Sequence, residues 1–310
     1  MNDPTKLRRF CFSLRALLIF TALACVLMGW IANQRGQSRQ DLLIAEKLKS
    51  HGATVILRSP FDAPEPGRKL RQMTDSIEQS WWRRQLGSLL GPRVGYVSIR
   101  QPSFYQRTYW YGDTTASDVK LVAQLKDVRG LYLYVTLDAL PPIANLRSLQ
   151  TLDLNATDIA DLTLLVGLTK LREINLNHTE VVNLKPLAEF KKLQSLHLNY
   201  TRVSDLTPLA AIQNLHDLFL DGTDVSDIRA LGGLKSLAWL YLYKTSVIDL
   251  TPLAKLTNLE YLDLSSTQVR DLTPLHGLKN LKWLDVKKTQ ANDAHIDLLQ
   301  RALPNCKITR

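Results

Sequence analysis

The chain has 310 residues, of which 45% are hydrophobic and 22% are charged, and these proportions exclude a disordered chain. Its net charge of +10 would suit nucleic acid or an anionic surface, but the excess is unevenly distributed. Residues 1–100 contain 16 Lys and Arg against 7 Asp and Glu, whereas residues 101–310 contain 23 against 22. Most of the chain therefore lacks the basic surface of a nucleic-acid-binding domain, and we expect no nucleic-acid partner.

The first element is an apolar segment without charged residues at positions 16–32. Its 17 residues would extend about 25 Å as a helix, near the minimum needed to cross a bilayer. Arg15 and Trp30 stand where interfacial side chains are expected. The sequence therefore predicts a basic tail and a single transmembrane helix within residues 1–33, with residues 14–32 in contact with the lipid bilayer.

Two alternatives to a retained anchor are a cleaved signal peptide and a lipoprotein signal ending at Cys25. Both are weaker, because VLMGWIA continues the apolar run past either cleavage point. The positively charged residues before and after the segment tie at four each, so they do not set the orientation: Lys6, Arg8, Arg9 and Arg15 against Arg35, Arg39, Lys47 and Lys49. A short basic tail usually stays in the cytoplasm, so we expect a single-pass membrane protein with its bulk on the non-cytoplasmic side.

Residues 34–91 read as a juxtamembrane and capping region of mixed structure. The segment RQDLLIAEKLKSHG predicts a helix that ends at Gly52, followed by a short strand TVIL and the Pro-rich turn SPFDAPEPG. A second helix is predicted over DSIEQSWWRRQLGSLLG, residues 75–91. Its segment 81–84, with two tryptophans and two arginines, would either touch the membrane surface or belong to a helix that caps the next domain.

The rest of the chain is dominated by an internal repeat with the pattern LxxLxLxxTxVxDLxPLxxLxx. Two degenerate units precede the regular ones, at Val94 and Val128, and the aromatic insertion FYQRTYWYGD follows the first of them. We therefore predict a repeat domain at residues 92–310, with regular repeats at 149–290 and a C-terminal cap at 291–310. The first leucine of each regular unit recurs at a fixed step of 22 residues, at positions 149, 171, 193, 215, 237, 259 and 281.

This pattern resembles the leucine-rich repeat, and the 22-residue length with DLTPL is similar to the bacterial internalin-like subfamily. The resemblance implies an α/β solenoid, with a parallel β-sheet on the concave side and short helical turns on the convex side. It also implies a non-catalytic protein that recognises partners through the concave face.

Within each unit the spacing predicts a strand whose alternating leucines point inward. After the strand, Asp205 or Thr207 is expected to cap a helical turn, with Pro208 at its first position. At the cap of the domain, Asn292 or Asp293 should begin a helix, and a final strand should hold a buried, inert Cys306. Thr stands where the family pattern has Asn, and its hydroxyl is expected to bond a neighbouring backbone group; this column comprises Thr157, Thr179, Thr201, Thr223, Thr245, Thr267 and Thr289.

No catalytic motif is present, and with three cysteines at positions 11, 25 and 306 no CxxC metal site can form. His178, His197 and His216 fall on successive units, but they read as solvated polar residues rather than metal ligands. The carboxylates of the strands have no sequence partner that would raise a pKa. We therefore predict no enzyme activity, no metal and no cofactor.

The remaining feature is the set of third, fifth and seventh positions of each unit, which should be exposed on the sheet. The first three units are polar there, whereas the last four concentrate aromatic side chains in an expected binding patch of Phe219, Trp239, Tyr241, Tyr243, Tyr261 and Trp283. Its rim is formed by Asp217, Asp221, Asp263, Asp285 and Lys287. Exposed Tyr and Trp are typical of interfaces, although cross-strand stacking alone would also stabilise the sheet. We favour a protein or peptide ligand; the alternatives are a cell-envelope glycan and a structural spacer without a ligand.

Overall fold

A computed structural model describes most of the chain. The predicted Pro-rich turn, the helix at 75–91 and the aromatic insertion at 104–113 lie outside the described residues. The described residues are 14–50, 54–58, 93–100, 121–122, 124–125, 128–134 and 141–310.

The N-terminal region contains one long helix, α1, at Leu14–Ser50. The sequence suggested two helical segments separated near Gly36, but the structure joins them and ends the helix two residues before the predicted Gly52. Over the described residues, no helix combines the length and apolarity needed to cross a membrane. The predicted anchor at 14–32 lies in part outside the residues whose side chains are described.

Eleven strands within the described residues form one sheet, in the same order as in the chain. The first three, including the two degenerate units, are β1 at Thr54–Arg58, β2 at Arg93–Arg100 and β3 at Gly130–Tyr134. The regular units supply β4 at Thr151–Asp153, β5 at Glu173–Asn175, β6 at Ser195–His197, β7 at Asp217–Phe219, β8 at Trp239–Tyr241, β9 at Tyr261–Asp263 and β10 at Trp283–Asp285, followed by β11 at Lys307–Thr309.

The pairing from β2 to β11 is parallel, and the regular strands pair with a shift of one repeat. Leu152 aligns with Ile174, which aligns with Leu196, and so on along the sheet. These inward side chains are fully buried, so every unit completes the core of its neighbours. No unit could bury its leucines alone. The parallel strands and the core that they share therefore confirm the predicted leucine-rich solenoid.

A turn of 3-10 helix follows each of the strands β4 to β9, as in Thr207–Ala211 and Thr251–Lys255. The predicted cap is met only in part: Leu206 is the N-cap residue, and Asp205, one residue before it, accepts a 2.8 Å hydrogen bond at Oδ1 from the backbone N–H of Thr207. Thr207 is the first helical residue, however, so Pro208 occupies the second position rather than the predicted first. Because Asp205 accepts from the N–H of the second residue after it, that residue, Thr207, is the first of the turn.

The Thr column has the structural role predicted for it. Each of the seven hydroxyls donates to the carbonyl of the leucine or valine three residues earlier, at 2.6–2.8 Å. At the C-terminus, helix α2 spans Asp293–Ala302. Its N-cap is Asn292, whose side chain accepts a hydrogen bond from the His295 N–H. Cys306 is buried as predicted, but it lies just before β11 rather than within it.

Two compact units can be distinguished. One comprises residues 1–43 and 58–93, and the other comprises residues 44–57 and 94–310. In the second unit, Ala45 and Leu48 at the end of α1 are buried together with the repeat leucines. Strands β3 to β11 and their outward side chains belong to this second unit.

Candidate functional site

The outward side chains of the sheet form a surface that we call the sheet face: the third, fifth and seventh residue of each unit, counted from its first leucine. They point away from the core because residues alternate between the two sides of a strand. The six aromatic residues of the predicted patch all lie on this face, and each is half-buried rather than fully exposed. The expectation of exposed rings is therefore only partly met.

Five rings form a continuous array, the aromatic stack, across strands β6 to β9. His197 stacks on Phe219 with centroids 4.2 Å apart, and Phe219 stacks on Tyr241 at 4.9 Å. Tyr241 lies 6.5 Å from Trp239 on the same strand, and Trp239 stacks on Tyr261 at 4.0 Å. The one-repeat register produces these contacts, because it places fifth positions beside fifth positions and third beside third.

The stack differs from the predicted patch in its membership. Four of the six predicted residues are in it. The stack also includes His197, which the sequence predicts to be a solvated polar residue. Trp283 aligns with Tyr261 across the next strand pair, and the Tyr243 ring has Lys244 Nζ 5.5 Å from its centroid. Within residues 141–310, neither Tyr243 nor Trp283 makes a ring contact with the stack. His197 could have been found from the sequence, because it precedes Phe219 by one repeat.

Rings can occupy the fifth position because the backbone N–H of the seventh residue then donates its hydrogen bond to a different acceptor. In the first two regular units, Asp153 and Asn175 accept a hydrogen bond from the seventh-position N–H of their own unit. His197, Phe219 and Tyr241 cannot reproduce this bond at the fifth position. In these three units the N–H is bound by the seventh residue of the preceding unit: Asn177 for Asn199, Asn199 for Asp221, and Asp221 for Tyr243, at 2.7–2.9 Å.

Beyond the stack, the local arrangement returns. Asp263 accepts from the Ser265 N–H, and Asp285 accepts from the Lys287 N–H, both at 2.8 Å. Asn177, Asn199 and Asp221 thus accept hydrogen bonds from the next unit only where the fifth residue of that unit is a ring. Seventh-position polar residues therefore have a structural role in addition to any contact with a ligand.

The predicted rim is more buried than the sequence suggested. Asp285 is only 7% exposed, and Lys287 Nζ lies 3.8 Å from one of its oxygens. Burial, assisted by Asp263, raises the pKa of Asp221 to about 6 despite the hydrogen bond from Tyr243. Burial also raises the pKa of Glu173, with Asp153 and Asp217 adding to the effect. The prediction that no carboxylate of the strands would have a raised pKa was wrong, because the half-buried sheet face was not anticipated.

Ser195, His197 and Asp217 lie close together, but their geometry does not resemble a catalytic triad. Ser195 Oγ is 3.2 Å from His197 Nε2, whereas Asp217 Oδ1 is bonded to Nδ1 of His216. Within residues 141–310, no hydrogen bond links Asp217 to His197, so the imidazole has no orienting carboxylate. Burial also lowers the pKa of His197, which leaves a neutral ring packed on Phe219.

Among the residues that the structure describes, no group of three or more His, Cys, Asp or Glu side chains is placed so that it could hold a metal ion. Burial raises the pKa of Cys306 to about 11, which keeps its thiol protonated and unreactive. His178 stacks on Tyr200 with centroids 4.7 Å apart, at the side of the sheet face. The three histidines of successive units thus have three different ring or carboxylate neighbours.

The parallel sheet, the buried leucine ladder and the Thr column define a leucine-rich repeat solenoid. A family model described as "Leucine Rich repeats (2 copies)" matches residues 235–280. Among curated proteins, no relative matches the chain. Solved structures supply the remaining comparisons.

An internalin C2 of Listeria monocytogenes is 32% identical to this chain, with a TM-score of 0.52, over 63% of this chain and 83% of that one. An internalin (inlF) of the same organism is 25% identical, with a TM-score of 0.52, over 62% and 63% respectively. A leucine-rich repeat protein of Leptospira interrogans is 25% identical, with a TM-score of 0.56, and the match spans 62% of this chain but 51% of that one.

The chain belongs to the internalin-like leucine-rich repeat proteins. The second unit of this chain contains a leucine-rich repeat domain, a type of domain that in general serves protein–protein interaction.

Proposed function

We propose that this protein binds a protein or peptide partner through the sheet face, which the resemblance implies to be concave, and that the aromatic stack is the centre of the contact. Tyr243 and Trp283 complete the patch at its sides, and Asp217, Asp221, Asp263, Asp285 and Lys287 form its rim. The single observation that carries the proposal is the stack itself. Half-buried Tyr and Trp rings offer large, rigid contact area at low entropic cost, which is the usual basis of strong contacts at interfaces.

The location of the protein is a second part of the proposal. The sequence supports an anchor at residues 14–32, because positions 16–32 carry no charged residue. Internalin structures of Listeria monocytogenes are among the most similar structures, which favours a surface-exposed repeat domain. Fractionation of cells, with protease treatment of intact cells, tests both points. Recovery of the full chain in the soluble cytoplasmic fraction would contradict them.

Binding is tested with the full-length chain against random peptides displayed on phage and against a glycan array. The double variant Trp239→Ala/Tyr241→Ala should lose the selected peptides while keeping the fold, because both residues are on the solvent side of β8. Ile248→Ala is the matched control, since Ile248 is 56% exposed and lies outside the sheet face. Glycan binding that disappears in the double variant would favour the alternative ligand. Selected peptides that bind the double variant as tightly as the Ile248→Ala control would refute a role for the stack.

A further inference from the structure

The sheet face carries far more negative than positive charge. One lysine, Lys287, occupies these positions in the seven regular units, and it lies beside Asp285. His197 is kept neutral by burial, which lowers its pKa. The carboxylates on the same positions are Asp153, Glu173, Asp217, Asp221, Asp263 and Asp285.

These carboxylates lie on both sides of the aromatic stack. Asp217 aligns with Trp239 on the neighbouring strand, and Asp263 aligns with Tyr241 on the other side. Asp221 reaches the backbone of Tyr243 with a 2.9 Å hydrogen bond. The rings of β8 are therefore bordered by acidic groups along both neighbouring strands.

Few basic groups among residues 141–310 offset the negative charge around the stack: Lys287 lies 3.8 Å from Asp285, and His216 Nδ1 is hydrogen-bonded to Asp217. Asp263 and Asp285 are directly aligned on adjacent strands, an arrangement of like charges that destabilises a sheet. Burial raises the pKa of Tyr241, and Asp263, Asp221, Tyr261 and Asp217 act in the same direction. Every charged neighbour that shifts this group is itself an acid. A ligand that adds positive charge here would remove a cost that the free protein carries.

We infer that the partner presents a cationic segment to this face, a stretch of arginine or lysine whose charged groups lie against Trp239 and Tyr241 between Asp217 and Asp263. This inference rests on the proposed function, since it specifies the chemistry of a peptide that binds there. A guanidinium or ammonium group over an aromatic face is attracted by the ring, and the flanking carboxylates pair with it. An acidic segment would be repelled by Asp217 on one neighbouring strand and by Asp263 on the other.

The first test is the composition of the peptides that the full-length chain selects from a random displayed library. Peptides that depend on Trp239 should be enriched in Arg and Lys and depleted in Asp and Glu, and their binding should weaken as salt rises. If they depend on Trp239 but show no basic enrichment, the inference fails and the proposed function stands. If no selected peptide depends on Trp239, both fail.

The second test isolates charge from shape. A selected peptide should bind about tenfold more weakly when each arginine is replaced by citrulline, which keeps the shape without the charge. Asp217→Asn/Asp263→Asn should weaken binding by about the same factor, because two flanking charges are lost. The control Asp227→Asn/Asp249→Asn removes two charges from the exposed caps of the helical turns, where Asn183 already performs the same task, and should leave affinity unchanged. Equal binding of the arginine and citrulline peptides would overturn the inference.

Discussion

Replacing Asp221 with Asn should stabilise the protein at neutral pH. Asp221 is half-buried, and burial raises its pKa from 3.8 to about 6, so the folded state favours the protonated form. The contribution of Asp221 to stability should therefore fall as pH rises from about 4 to about 6 and stay constant above that range. Asn keeps the oxygen that accepts the Tyr243 N–H but never ionises, and Asn already occupies the equivalent positions 177 and 199.

The magnitude follows from the shift. A rise from 3.8 to about 6 corresponds to roughly 3 kcal/mol if the folded state carries all of it. Partial exposure allows solvent to screen the charge, so we expect about 1 kcal/mol for Asp221→Asn at pH 8 and roughly half of that or less at pH 4. Urea unfolding of wild type and variant at both pH values measures this difference. Asn199→Asp is the converse variant and should lower stability more at pH 8 than at pH 4.

Amide hydrogen exchange at Tyr243 provides a local readout of the same effect, because its N–H is donated to residue 221. It should exchange more slowly in Asp221→Asn than in the wild type at pH 8, after correction for intrinsic rates. A variant that is less stable than the wild type at pH 8 would show that the carboxylate gains more from its hydrogen bond than it loses by burial. An equal difference at pH 4 and pH 8 would also refute the reasoning, because no titration would then be involved.

Three further substitutions test the repeat architecture by urea unfolding. Thr223→Val removes the 2.7 Å hydrogen bond to the Leu220 carbonyl and should cost about 1 kcal/mol, whereas an unchanged midpoint would make the Thr column dispensable. Gly222→Ala should cost about 1–2 kcal/mol, because the backbone has φ +65° and the new Cβ would lie 2.6 Å from Tyr200 Cδ1; Tyr200→Ala in the same chain should recover part of the loss. Ala156→Gly should stabilise by up to about 1 kcal/mol, since Ala156 has φ 57°, and a destabilised variant would contradict this.

The sequence predicted the architecture well because one spacing determines it. With leucines every 22 residues, the strands, their parallel register and the inward side chains follow together, and β4 to β10 appear where the pattern places them. The order of the aromatic rings also follows from this register. What the spacing could not show was how closely the aligned rings would pack on one another.

The pKa of Asp221 was missed for a related reason. The pKa shift depends on the burial of the carboxyl group and on the proximity of Asp263. A repeat pattern assigns these residues to columns, but it gives no distances between side chains of different columns. The joined helix α1 was missed because Gly36 lies between two helical patterns, and a single glycine costs a helix only about 1 kcal/mol.

The hydrogen bonds of the sheet bear on whether the aromatic stack serves folding or recognition. Units with Asp153 or Asn175 at the fifth position maintain the same register without any ring there, so the fold does not need the stack. Stacked cross-strand pairs stabilise a sheet by only about 0.2–1 kcal/mol each.

Placing rings at the fifth position also requires a second set of hydrogen-bond acceptors, and the last of these is Asp221, whose ionisation is unfavourable in the fold. An Asn at that position would fulfil the structural task without the charge, as Asn177 and Asn199 do. A carboxylate retained beside the rings at a cost in stability is therefore better explained by a positively charged partner than by the packing of the sheet.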